Sequence, residues 1–197
     1  MKKIASFVAL ALLAGGLTLG VTTPADGAVR PCENLDTPQV VELALCYPHD
    51  PGSTFVLEAP LNVWGLRDQA RFVDQRVDGL RLLYAPGLEC VDYPAAVCIH
   101  VVKTLLDDDD RGAEFDWGTG TLRLNTRFAQ MPLAGYRRRA AGHELLHALG
   151  FMHHSGPGLV SGGAVWVQSA WPTPRELAAL RAWYDRPAAA VPSNPPA

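Results

Sequence analysis

The sequence has no excess of positive charge: 17 Lys and Arg stand against 20 Asp and Glu, a net charge of −3. Nucleic acid is held mainly by clustered cations. The one basic run that stands out, Arg137 to Arg139, is short enough to be a solvated face, so a nucleic-acid partner is not expected. After Val21 no apolar run approaches the roughly 17 to 25 residues that cross a bilayer, and no stable membrane association is expected of the mature chain. The run before it, Ile4 to Val21, follows Lys2 and Lys3 and leads into small residues and Pro24, the layout of a secretory leader. Residues 1–28 are read as that signal peptide, with a retained anchor as the alternative. No Arg-Arg pair precedes the run and no cysteine follows it closely, which argues against a twin-arginine signal and a lipidated N-terminus. The product is expected to be secreted.

Removing Lys2, Lys3 and Asp26 with the leader keeps the balance acidic. A chain from Val29 onward is long enough for one domain with a sizeable core and too short for two of ordinary size; a monomer is the default. Cysteine is sparse, with Cys32, Cys46, Cys90 and Cys98. An even number in an oxidising compartment reads as disulfides. Of the possible pairings, Cys32 with Cys46 and Cys90 with Cys98 closes the shortest loops. Residues 29–54, rich in proline and polar side chains, are read as a surface lead-in whose apolar patch, Val40 to Leu45, forms a short helix pinned by Cys46. Residues 55–186 are read as the folded domain. Residues 187–197 are mostly proline and alanine, cannot bury a core, and are read as a disordered tail.

Within the domain, short apolar runs bounded by Gly and Pro predict strands at Phe55–Leu57, Leu61–Trp64, Leu80–Ala85 and Val97–Val102. Alternation predicts another over Thr121–Phe128, with Leu122, Leu124 and Thr126 inward. Leu66, Ala70, Val73 and Val77 recur at helical spacing, predicting a helix that Gly79 closes. His100 lies inside a strand, where a lone histidine is more often packed or solvent-facing than a ligand. Thr173-Pro174-Arg175-Glu176 combines an N-cap threonine, a proline at the first helical position and a glutamate three residues after the cap. A helix starts there and runs to about Tyr184, with Leu177, Ala178, Leu180, Trp183 and Tyr184 on its packed side.

The densest chemistry lies from Gly142 to His154, Gly-His-Glu-Leu-Leu-His-Ala-Leu-Gly-Phe-Met-His-His. Residues four apart on a helix share a face, so His143 and His147 can reach one ion, with Glu144 beside it. Gly150 suits the left-handed position that ends a helix and turns the chain back. His153 can then return as a third nitrogen ligand, leaving a fourth position open, as a catalytic zinc site requires.

This pattern, H-E-x-x-H-x-x-G-x-x-H, resembles the metzincin superfamily of zinc endopeptidases, and the run through Ser155 is most similar to the matrixin branch. The resemblance covers residues 115–185. It implies an α+β, metzincin-like zincin domain: a twisted mixed sheet of about four or five strands, a backing helix, a zinc helix from Gly135 or Tyr136 to Leu149, and a C-terminal helix. It further implies one catalytic Zn2+ on His143, His147 and His153, and Glu144 as general base in peptide-bond hydrolysis of a protein or peptide substrate. Structural Ca2+ occurs in relatives of this kind, and Asp107–Asp110 is the candidate here, although consecutive carboxylates lack the alternation of a calcium loop. The chain departs from the pattern twice. Metzincins place a methionine in a turn below the zinc, whereas here Met1, Met131 and Met152 all precede His153 and Val160 occupies about that place. Matrixins place serine directly after the third ligand, and here Ser155 follows His154. His154 is therefore the second candidate ligand; otherwise it lines the substrate side or makes a hydrogen bond behind a ligand. The alternative function is a catalytically impaired zinc-binding module or inhibitor.

Overall fold

The computed structural model describes residues 45–46, 48–59, 63–85, 87–107, 111–130, 134–154, 156–161 and 169–187. The expected signal peptide, Cys32, most of the lead-in, Asp108–Asp110, Ser155 and the tail from residue 188 lie outside these.

Among the described residues five strands form one mixed sheet in the order β2-β1-β3-β5-β4. These are β1 (Thr54–Glu58), β2 (Arg81–Leu83), β3 (Val97–Thr104), β4 (Ala113–Asp116) and β5 (Thr121–Asn125). β4 runs antiparallel to β5, and the other pairings are parallel. The helices are α1 (Leu66–Asp74), α2 (Ala134–Ala148) and α3 (Pro174–Tyr184), so the architecture is α+β as expected. None is long and apolar enough to cross a membrane.

Hydrophobic pattern explains the layers. The middle of β1 is an apolar run, and Phe55, Val56 and Leu57 are all fully buried, as an interior strand covered on both faces must be. α1 supplies the crossover that parallel β1 and β2 need, burying Leu66, Ala70 and Val73 completely. Burying each of the two larger side chains contributes about 1.5–3 kcal/mol. Ala141, Leu145, Leu146 and Leu149 of α2 and its C-terminal turn join the same core as Leu177, Leu180 and Tyr184 of α3. Cys90 and Cys98 are paired, with Cα atoms 5.6 Å apart. Cys46 is also disulfide-bonded.

Several expectations are corrected. Val63 and Trp64 are not part of a strand: Trp64 (φ 53) and Gly65 (φ 74) take successive left-handed conformations that swing the chain into α1. α1 ends at Asp74 with Gln75 as its cap, well before Gly79. Glycine at 79 is needed for packing instead, since a Cβ there would lie 1.7 Å from the Tyr184 carbonyl oxygen. The strand beginning at Thr121 stops at Asn125. There the side-chain amide donates to the Arg111 carbonyl (2.8 Å) and its oxygen accepts from the Arg127 N–H (3.1 Å), leading the chain into a 3-10 turn with Thr126 exposed. β4 was not anticipated. The lead-in does not end on the surface: Leu45 and Cys46 are buried, Leu45 bridging to Phe151. Ala178 of α3 is exposed.

Candidate metal centre

The site is built on α2 and the turn that ends it. Gly142 lets α1 approach closely, because a Cβ there would lie 2.8 Å from the Gln69 side chain. At the other end the Phe151 N–H donates to the Leu146 carbonyl (3.0 Å) and the Gly150 N–H to the His147 carbonyl (2.8 Å). These are the paired bonds of a Schellman closure, and Gly150 takes the positive φ of 104° that it requires. The reversal carries His153 back over the face that presents His143 and His147. The three Nε2 atoms lie 2.9, 3.0 and 3.3 Å from one another.

Hydrogen bonds behind the rings determine their tautomers. A carbonyl oxygen can only accept, so His143 donates from Nδ1 to the Leu159 carbonyl (2.7 Å) and His147 donates from Nδ1 to the Phe151 carbonyl (2.7 Å). Both Nε2 lone pairs are left for the centre. Burial holds His143 well below its ordinary pKa and brings His147 down to about 4, and partial desolvation lowers the more open His153. Two lone pairs thus converge on the His153 Nε2, and with the His153 proton on Nδ1 all three would face one point, an arrangement that a cation between them stabilises. Their separations approach the about 3.3 Å edge of a tetrahedron whose metal–nitrogen bonds are about 2.0–2.1 Å. The donor set therefore fits a first-row metal ion such as zinc. His143 is half-buried, His147 buried and His153 exposed, so the cluster opens to solvent on the His153 side.

Glu144, next to His143 on α2, is buried. Burial pushes its carboxyl up to about 8, partly offset by a hydrogen bond from the Phe115 backbone N–H of β4. A dication nearby would draw that value down. β4 continues into Trp117, whose ring stands edge-on to Phe115 (5.1 Å) and to His147 (6.2 Å). Beside them lies a cavity of about 440 Å³ lined largely by Val97, Ile99, Phe115, Trp117, Gly120 and Ala148. Neither the aromatic pair nor the Leu159 carbonyl was singled out in the sequence; Phe115-Asp116-Trp117 was the available signal.

His154 is not among the converging nitrogens. It is turned inward, with 5% of its surface exposed, and its Nε2 lies 3.1 Å from Glu176 Oε1, which corrects its reading as a side chain lining the substrate side. Leu159 and Val160 are fully buried beside it. Glu58, Cys90, Cys98 and His100 also bring ligand-type atoms within 4.8 Å of one another. Their sulfurs are bonded to each other, so they offer no thiolates, and exposed His100 faces Glu58 across 3.4 Å. Of the acidic run proposed for calcium, Asp107 is exposed and the rest lies outside the described residues. Compared with models of known protein families the chain matches none, and no curated protein matches it.

Proposed function

We propose that the chain is a secreted zinc-dependent endopeptidase of metzincin type. The observation that carries this reading is the convergence of three imidazole Nε2 atoms within 3.3 Å, two of them aimed by backbone carbonyls. A buried carboxyl stands beside them on the same helix. When bound, a zinc ion supplies the Lewis acidity that makes a water acidic near neutral pH and polarises a peptide carbonyl. Glu144 is the general base: its carboxylate takes the water's proton and, because burial raises its affinity for protons, holds it for delivery to the leaving amine. Trp117 and the cavity beside it offer an apolar recess for a substrate side chain. The Cys90–Cys98 disulfide is compatible with the export that the N-terminal sequence suggests.

Casein cleavage by the secreted protein, with and without a chelator, tests the reading. Glu144→Gln should retain zinc by metal analysis and lose about 10²- to 10⁴-fold in turnover, whereas His143→Ala should lose both. Equal zinc in His143→Ala and the unaltered protein would remove the site. Zinc-loaded protein that leaves casein and a broad peptide library intact would point to a binding module or inhibitor.

A further inference from the structure

His153 is the ligand that α2 does not carry, so its position depends on residues 151–161. The same segment supplies the Leu159 carbonyl that accepts from His143 Nδ1 at 2.7 Å. What ties it down is a carboxylate from another element. Glu176, fully buried at the start of α3, uses Oε2 for its own helix cap, accepting from the Thr173 N–H (2.7 Å) and Oγ1 (2.8 Å). That completes the capping box, which makes no use of the other oxygen. Oε1 faces the turn, accepting from the Val160 N–H at 2.9 Å and from His154 Nε2 at 3.1 Å. A carboxylate that receives backbone donors is ionised and only accepts, so the His154 Nε2 carries the donated proton. The Val160 carbonyl in turn accepts from the His154 N–H at 3.2 Å. Gly158 closes over the pair: a Cβ there would lie 2.6 Å from His154 Cε1 and 2.7 Å from Glu176 Oε1.

We propose that His154 is a positioning residue for the metal centre, joining the turn that carries His153 and the Leu159 carbonyl to the Glu176 carboxylate. The inference rests on His143, His147 and His153 being the ligands. It assigns to the second histidine of the His153-His154 pair a task complementary to that of the first. One imidazole reaches the ion, and its neighbour, facing the opposite way, holds the backbone from which it projects. Groups that support metal ligands from behind are commonly worth about 10- to 100-fold in metal affinity.

The test uses the full mature protein and needs no peptidase activity. Zinc affinity by chelator competition and the visible absorption of the cobalt-substituted protein are compared across variants. His154→Leu keeps apolar bulk in the pocket but removes the donor; it should weaken zinc about 10- to 100-fold and change the cobalt spectrum. His154→Gln can still donate from Nε2 to Glu176, and it should return both readouts to within a few-fold of the unaltered protein. Val73→Ala, in the α1 core away from the turn, lowers stability without touching the latch and should bind zinc normally. Unchanged affinity and spectrum in His154→Leu would overturn the proposal, as would His154→Gln being as impaired as His154→Leu. A His143→Ala protein that still binds zinc would instead overturn the ligand reading beneath it.

Discussion

At the scale of single residues, burial acts in opposite directions on the two kinds of titratable side chain in the metal centre. The histidines are depressed from 6.5, His147 to about 4, and Glu144 is raised from 4.5 to about 8. In the metal-free protein a depressed histidine leaves the unfolded state holding more protons below pH 6.5, so stability rises with pH up to that point. A raised carboxyl leaves the folded state holding the extra proton, so between 4.5 and 8 its contribution falls as pH rises. Below 6.5 His143 and His147 together outweigh one carboxyl; between there and 8 Glu144 sets the slope, at about 1.4 kcal/mol per pH unit. Chelated protein should therefore be most stable to urea near pH 6.5 and weaken toward pH 8, and Glu144→Gln should remove the alkaline decline. Stability that keeps rising to pH 8 in the unaltered protein would show that Glu144 is ionised without metal. The convergence of His143, His147 and His153 was legible in the sequence because their spacing is local: one helical turn, then a glycine reversal. The Leu159 carbonyl and the Phe115 N–H were not, since a backbone group has no sequence identity and its position depends on the whole fold.

At the scale of elements, legibility follows where the stabilising partners lie. α3 was readable to its first residue because a capping box is completed within four positions, and the structure shows both of its bonds. Thr173→Ala should cost about 1 kcal/mol, up to about 2, in chemical denaturation. α1 was readable as a helix but not at its end, because Gly79 answers to α3 and not to α1. Its amide also donates to the Asp185 carboxylate at 2.7 Å. Gly79→Ala should cost more than Thr173→Ala, at or beyond the upper end of the about 1–3 kcal/mol usual for overpacking, because the obstacle is backbone; a smaller loss would mean that the end of α3 yields easily. β4 was hidden by its charges. Arg123 of β5 pairs with Glu114 (2.8 Å) and Asp116 (2.9 Å) of β4, so residues that look like a solvated loop in one dimension form a cross-strand ladder in three. The hydroxyl-bearing alternation after Asn125 misled in the other direction, because Asn125 spends its side chain on turning the chain.

At the scale of the whole molecule, the beginning and end of the described chain meet behind the turn that carries His153. Tyr184, buried near the end of α3, donates from its hydroxyl to the Leu149 carbonyl at the foot of α2 (3.0 Å) and accepts from the His49 N–H (3.3 Å). Trp183 Nε1 donates to the His49 carbonyl (2.8 Å). The Cys46 N–H donates to the Gly150 carbonyl (2.8 Å), beside the Leu45–Phe151 bridge. The turn that presents His153 is thus held between the lead-in, α2 and α3, and it has few ways to open without loosening all three. Metal binding should then stabilise the fold as one unit. An ion present at about 1,000 times its dissociation constant contributes about 4 kcal/mol, and at about 2–4 °C per kcal/mol for a domain of this size its removal should lower the melting temperature by on the order of 10 °C. Calorimetry with and without chelator checks this: a single transition displaced as a whole is expected, whereas a chelated protein that melts in two steps would show that residues 151–161 open independently of the core.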